Sequence, residues 1–145
     1  RDVRLASGRI LALITLDNDK DYKRPNTLGP RSLAELDEVL LVLTERARRG
    51  EIQAVGITGK QFILAAGADL SKVREIPSAD VARKMGQLGH RALGRLAHLG
   101  VPSFAFVNGL ALGGGLEVAL NATYRTVDTS AAALALPETF LGLVP

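Results

Sequence analysis

Three consecutive glycines sit between two apolar runs in Val107-Asn108-Gly109-Leu110-Ala111-Leu112-Gly113-Gly114-Gly115-Leu116-Glu117. Such a triplet costs more conformational entropy than any other sequence of three residues. It belongs where backbone must pass very close to something, or where backbone N–H groups must face a site. A helix starting at the triplet would leave its first N–H groups without intrahelical partners. Those groups would receive an anion or a developing oxyanion. Glu117 then falls in or near the first turn, beside them.

The rest of the chain supplies alternating strands and helices. Ile10 to Leu16 is a continuous apolar run of strand length, read as buried on both faces. A loop rich in turn residues follows, from Asp17 through Asn26 to Pro30. Ser32 and Glu35 have the spacing of a capping box, which gives Glu35 a structural reading ahead of a catalytic one. Leu33, Leu36, Leu40, Leu43 and Ala47 continue at helical spacing until Gly50. Ala54 to Thr58 reads as a second buried strand. Phe62 to Ala66 is apolar again and runs into Gly67-Ala68-Asp69, with a short helix expected next. Ser78 caps a long helix with Met85, Leu88, Ala92, Leu96 and Leu99 on one stripe. Ser103 to Val107 is a third buried strand, Gly114 to Ala122 a helix, and Tyr124 to Val127 a short strand. This order implies an α/β fold. No internal repeat or linker is visible in the sequence.

Several function classes can be set aside. There is no cysteine among the 145 residues, which removes disulfides, thiolate nucleophiles and Cys-ligated metals, and is compatible with a cytoplasmic protein, the expected location. His90 and His98 are eight apart, not at ligand spacing, so no metal is expected. No apolar run approaches the ~20 residues needed to span a membrane. The net charge of +3 and the pI of about 9.6 resemble those of nucleic-acid binders. The basic residues are scattered, however, and aromatics make up only 4%. The densest cluster, Arg46, Arg48 and Arg49, lies at a helix C-terminus, where the helix dipole favours cations. Arg24 and Lys60 could meet substrate phosphates, but each reads better as solvated surface charge. The chain begins with Arg1 rather than Met.

The glycines do not match the common motifs. No Lys-Ser/Thr follows them as a phosphate loop requires. The spacing of Gly109 and Gly113 misses the dinucleotide fingerprint, and no serine occupies a nucleophile elbow. What remains is two places where backbone N–H groups can face a pocket, near Ala68 and Gly114, and two glutamates in apolar sequence, Glu117 and Glu138. Burial and a neighbouring carboxylate raise a carboxyl pKa, so such a pair can hold one acid and one base near neutral pH. With two N–H donors for an oxyanion, the set suits chemistry next to a carbonyl. For Glu117, a packing or capping role is an equal alternative on these grounds.

At this point the residues resemble a known family. Thr58-Gly59-Lys60 through Ala66-Gly67-Ala68-Asp69-Leu70, Asn108 through Glu117, and Leu136-Pro137-Glu138 with Leu141 to Pro145 together resemble the crotonase superfamily of enoyl-CoA hydratases and isomerases. The likeness runs from Ile10 onward. It implies a spiral of repeated ββα units, of which residues 1–145 would be an incomplete, N-terminal portion. It implies that the N–H groups of Ala68 and Gly114 bind a thioester oxygen. Glu117 and Glu138 would be the acid/base pair, and Ala66, Gly67, Asp69, Leu70 and Gly113 would line the substrate. Two glutamates favour hydration of a trans-2-enoyl-CoA to a 3-hydroxyacyl-CoA in fatty-acid β-oxidation.

Asp21 to Pro30 and Ala133 to Glu138 look most like the N-terminal hydratase part of a multifunctional fatty-acid oxidation α-subunit. That likeness implies a trimer-based homo-oligomer or a complex with a thiolase subunit. Hydration needs no cofactor, because the substrate carries coenzyme A; NAD would enter only if a dehydrogenase domain followed. Two departures stand out: Phe62 to Gly67 is longer than the family's usual segment, and Thr123 stands where many members have Asp. The alternatives are isomerisation or another acyl-CoA reaction on the same scaffold, and a non-enzymatic RNA-binding or assembly module.

Overall fold

A computed structural model describes residues 1–21, 23–69, 77–142 and 144, with the backbone alone of Leu141. The short helix expected after Asp69, and Leu70 itself, lie outside the described residues.

Strands β1 (Asp2–Arg4), β2 (Ile10–Leu16), β3 (Ala54–Gly59), β5 (Ser103–Val107) and β7 (Tyr124–Val127) form one sheet in the order β1-β2-β3-β5-β7. All neighbours are parallel except the antiparallel pair β1–β2. A second, parallel sheet contains β4 (Phe62–Ala65), β6 (Gly109–Leu112) and β8 (Leu134–Ala135) in the order β4-β6-β8. Helices α1 (Pro30–Arg48), α2 (Ala79–Ala97) and α3 (Gly114–Asn121) connect them. Each step β3–β4, β5–β6 and β7–β8 therefore sends one strand to each sheet, giving the ββα spiral. The repeat is one of topology and leaves no repeat in the sequence.

The core lies between the first sheet and the helices. Leu40, Ile52, Val55, Ile57, Leu64, Leu96, Val107 and Val118 are almost wholly buried in it. Burial of β2 is less complete than its apolar run implies: Leu11 and Ala12 are inside, whereas Thr15 is exposed. β1 covers one edge of β2. Helix α1 is joined to α2 by Asp37, which accepts from Arg91 Nε at 2.9 Å and Arg95 Nε at 2.8 Å.

The cap of α1 differs from the expected one. The N-cap is Gly29, with Pro30 at the first helical position, where its missing N–H costs nothing. Ser32 is thus the third helical residue, and its Oγ accepts from the Gly29 N–H at 2.9 Å. Glu35 plays no part in the cap and instead pairs with Arg31 Nε at 2.8 Å on the surface. Ser78 does cap α2, its hydroxyl accepting from the Val81 N–H at 3.3 Å. The long Phe62–Gly67 segment is accommodated in part by a bulge: Ile63 faces Leu110 but Ala65 faces Ala111, leaving Leu64 as the extra residue. Thr123 faces Ser103, whose N–H and hydroxyl both reach its Oγ1, at 3.1 and 3.2 Å.

Candidate active site

The site forms where β6 turns into α3. Gly113 has φ 50° and ψ −128°, close to the first central position of a type II′ turn, which only glycine occupies freely. Its N–H is held by Ala135 O of β8 at 2.9 Å, and its carbonyl accepts from the N–H groups of Leu116 and Glu117. Gly114 is therefore the first residue of a helix, and its N–H has no acceptor among the described residues. Gly115 has a packing reason: a methyl there would lie 2.1 Å from the carbonyl oxygen of Ala65. The helix can start this close to β4 only because that Cβ is missing.

The other wall is Ala66 to Asp69. Ala66 donates to Asn26 O, and Leu28 donates to Gly67 O, both at 2.8 Å. Leu28 and Ala68 form an isolated parallel bridge. In that pairing the N–H of Ala68 is turned away from residues 26–28, and no acceptor for it is found among the described residues. Gly67 has φ +80°. A Cβ on it would sit 2.9 Å from Leu112 O and 3.4 Å from the amide nitrogen of Gly114. The two walls are thus in contact, with the unbonded N–H groups of Ala68 and Gly114 on adjacent stretches.

Both glutamates reach this junction. A methyl on Gly113 would lie 2.5 Å from Oε1 of Glu138, and one on Gly114 would lie 3.5 Å from Oε2 of Glu117. Glu117 sits in the first turn of α3. Glu138 is carried by a short 3₁₀ helix, Pro137–Leu141, which follows β8 directly. Its Oε2 is buried and takes no hydrogen bond among the described residues. Leu28 closes one side, its Cδ1 3.2 Å from a methyl built on Gly114. A cleft of about 710 Å³ lies next to the site and is lined by Leu16, Asn26, Leu28, Leu36 and Asp69 among others. It shares Leu28 and Asp69 with the site's rim but does not include the glutamates.

Comparison with known proteins shows the family and the fold. The enoyl-CoA hydratase/isomerase family profile matches residues 8–145. The chain belongs to this family. It is 36% identical over 143 residues to the fatty acid oxidation complex subunit alpha of Shewanella loihica, covering 98% of this chain and 19% of that protein. It is 37% identical over 138 residues to the short-chain-enoyl-CoA hydratase of Clostridium acetobutylicum, covering 93% of this chain and 49% of that one. Among solved structures, DspI of Pseudomonas aeruginosa superimposes with a TM-score of 0.81 at 32% identity, over 93% of this chain and 52% of that one. The chain thus spans a fifth to a half of the length of these proteins.

Of the residues singled out in the sequence, Gly67, Ala68, Gly113, Gly114, Glu117 and Glu138 come together at the junction, with Ala66 and Asp69 flanking Gly67 and Ala68. Lys60 is not the solvated charge it was expected to be. It is 8% exposed, and its Nζ donates to Lys20 O at 2.9 Å, Asp21 O at 3.1 Å, Arg24 O at 2.6 Å and to Asn18 Oδ1. The reason is topological: Lys60 follows β3, the central strand of the first sheet, directly, and the carbonyls of Lys20, Asp21 and Arg24, from the loop after β2, turn inward over its end. Arg24 itself is exposed. Sequence reasoning missed Leu28 and Asn26, which read as ordinary residues of a turn-rich loop. No group of three or more metal-ligating side chains occurs among the described residues, nor does any helix among them have the length and apolarity to cross a membrane.

Proposed function

We propose that this chain carries the catalytic half-site of an enoyl-CoA hydratase, adding water across the double bond of a trans-2-enoyl-CoA to give a 3-hydroxyacyl-CoA. The observation that carries this reading is the meeting of two carboxylates and two unbonded backbone N–H groups around Gly113 and Gly114. The thioester oxygen accepts from the Ala68 and Gly114 N–H groups, which draws electron density from the β-carbon. Glu117 and Glu138 hold a water molecule and take its proton as the oxygen bonds to the β-carbon. The resulting enolate keeps its charge on the thioester oxygen, against the two donors and the positive end of α3. A proton returned from a glutamate to the α-carbon completes the addition, so one water is consumed and no redox change occurs. A buried carboxylate oxygen without a donor is uncommon; in Glu138 it supports a partner that arrives with the substrate.

No cofactor enters this reaction, because the substrate brings its own coenzyme A. The partial coverage of the Shewanella relative supports the further reading that residues 1–145 are the first part of a longer acyl-CoA domain. In that reading a dehydrogenase domain using NAD follows, a thiolase subunit or further copies of the chain assemble with it, and the cytoplasm is its location. The test is loss of the conjugated-enoyl absorbance of crotonyl-CoA with the full-length protein. Glu138→Gln is expected to lower kcat by about 10²–10⁴-fold, the usual contribution of a general acid or base. Full activity in Glu138→Gln would overturn the assignment.

A further inference from the structure

Outside the reacting groups, one feature is unusual: Lys60 is buried with no carboxylate partner among the described residues. Lysine is rarely buried unless its charge is compensated. Around Nζ of Lys60 there are four oxygens, three of them main-chain carbonyls, for the three N–H bonds of an ammonium. All four belong to the loop from Asn18 to Arg24. Lys60 therefore acts as a cationic hub that gathers this loop onto the end of β3.

The hub is connected at both ends. Asn108 Nδ2 donates to Lys60 O at 2.7 Å and to Gly59 O at 3.0 Å, and its Oδ1 accepts from the Gly59 N–H at 3.1 Å. Asn108 immediately precedes β6, the strand that ends in Gly113 and Gly114. On the other side, Asn18, gripped by Lys60, donates its N–H to Oδ1 of Asn26 at 3.1 Å. Asn26 is 4% exposed, and its Nδ2 donates to Leu16 O at 2.7 Å and Leu64 O at 3.2 Å. The carbonyl of Asn26 then accepts from the Ala66 N–H, and the Leu28 N–H donates to the Gly67 carbonyl. A continuous polar chain runs from β6 through Lys60 to the segment carrying Ala68.

We infer that Lys60 is a positioning residue for the oxyanion donor Ala68, acting through the 17–26 loop and Asn26. This rests on the hydratase reading, in which Ala68 binds the thioester oxygen. Without the ammonium, the Lys20 carbonyl would lose its donor, and those of Asp21 and Arg24 would keep only the Arg24 N–H at 3.0 Å and Asn18 Nδ2 at 3.4 Å, so the loop would turn outward to water. Residues 26–28 would lose their register against 66–68, and the Ala68 N–H would move away from that of Gly114. A displaced donor loses transition-state stabilisation more than substrate affinity, so kcat should fall while KM changes little.

The test uses the full-length protein with Lys60→Met, which keeps the stem and removes the charge, and with Asn18→Ala, a milder break in a partly exposed loop residue. Hydrogen exchange of peptides covering 24–28 and 64–69 is followed beside crotonyl-CoA kinetics. We expect Lys60→Met to lower kcat by at least about tenfold, part of the ~10²–10³ that a lost oxyanion donor costs. KM should stay within about twofold, and exchange should quicken in those peptides but not in β5 or α2. Asn18→Ala should move the same quantities in the same direction by less, and it carries the test if Lys60→Met does not fold. Unchanged kcat in the soluble variant overturns the inference, as does faster exchange spread over the whole domain. A wild-type protein that does not hydrate crotonyl-CoA, with the local exchange change still seen in Lys60→Met, overturns the hydratase reading and reduces Lys60 to a loop anchor.

Discussion

The two walls of the site are built in opposite ways. The wall from Leu112 to Glu117 is local: the end of one strand, one glycine turn and the first turn of one helix lie within six residues. Its shape follows from missing side chains, since Gly113 holds a dihedral pair reserved for glycine and Gly115 lets α3 touch β4. The wall from Ala66 to Asp69 is assembled from a distance. It takes its register from Asn26 and Leu28, some forty positions earlier, and that loop is fixed in turn by the ammonium of Lys60. Steric permission shapes the first wall, and converging hydrogen bonds shape the second. A glycine wall should break abruptly, a polar one by degrees.

Gly115→Ala gives the largest expected effect. The new methyl meets Ala65 at its carbonyl oxygen, carbonyl carbon and Cβ, at 2.1, 2.6 and 2.9 Å. None of these is the movable end of a flexible side chain, so α3 must lift from β4. A loss of about 3 kcal/mol or more is expected, at or beyond the upper end for overpacking. Denaturant unfolding of the full-length variant against wild type measures it. A fully stable Gly115→Ala would show that the first wall is not set by steric permission.

Gly113→Ala comes next and separates fold from chemistry. Here the methyl meets a side chain, Oε1 of Glu138 at 2.5 Å, rather than backbone. The carboxylate can swing aside, and the φ of 50° adds strain of about 1–3 kcal/mol. The protein should fold, with Glu138 displaced from the junction. A kcat loss of about 10²-fold or more, with a native circular dichroism spectrum, is expected by analogy with losing a general acid or base. Near-normal kcat would mean that Glu138 does not work beside Gly113.

The same difference explains how much could be read from sequence. The glycine triplet was legible as a strand-to-helix step, Glu117 and Glu138 stood out as carboxylates in apolar sequence whose pairing only the family resemblance implied, and the α/β alternation followed from apolar runs of the right length. The polar wall was not legible. Asn18 and Asn26 have the composition of any turn, and Lys60 next to Gly59 looks like a hairpin charge; only the folded loop shows that three carbonyls point at it. The α1 cap was misplaced for a related reason. Ser32 and Glu35 satisfy the spacing of a capping box, but Pro30 starts the helix earlier and shifts every role by one turn.

Asp37 supplies the smallest effect and a control that touches neither wall. It joins α1 to α2 through Arg95 and Arg91. The hydrogen bond from Arg95 is the main influence holding its carboxyl below the ordinary value; burial opposes this, and Arg91 adds to it. A carboxyl depressed in the folded state stabilises the fold fully above its unfolded value, about 3.9, and that contribution disappears as pH falls through the folded value. Asp37→Asn removes the charge and leaves one acceptor oxygen for the two guanidinium donors. It should cost no more than about 1 kcal/mol at pH 7, because both arginines retain contact with water. The gap between variant and wild type should narrow below about pH 4. Crotonyl-CoA kinetics at pH 7 should be unchanged. A gap that stays constant down to pH 3 would show that the α1–α2 contact is held by shape rather than charge, like the glycine wall.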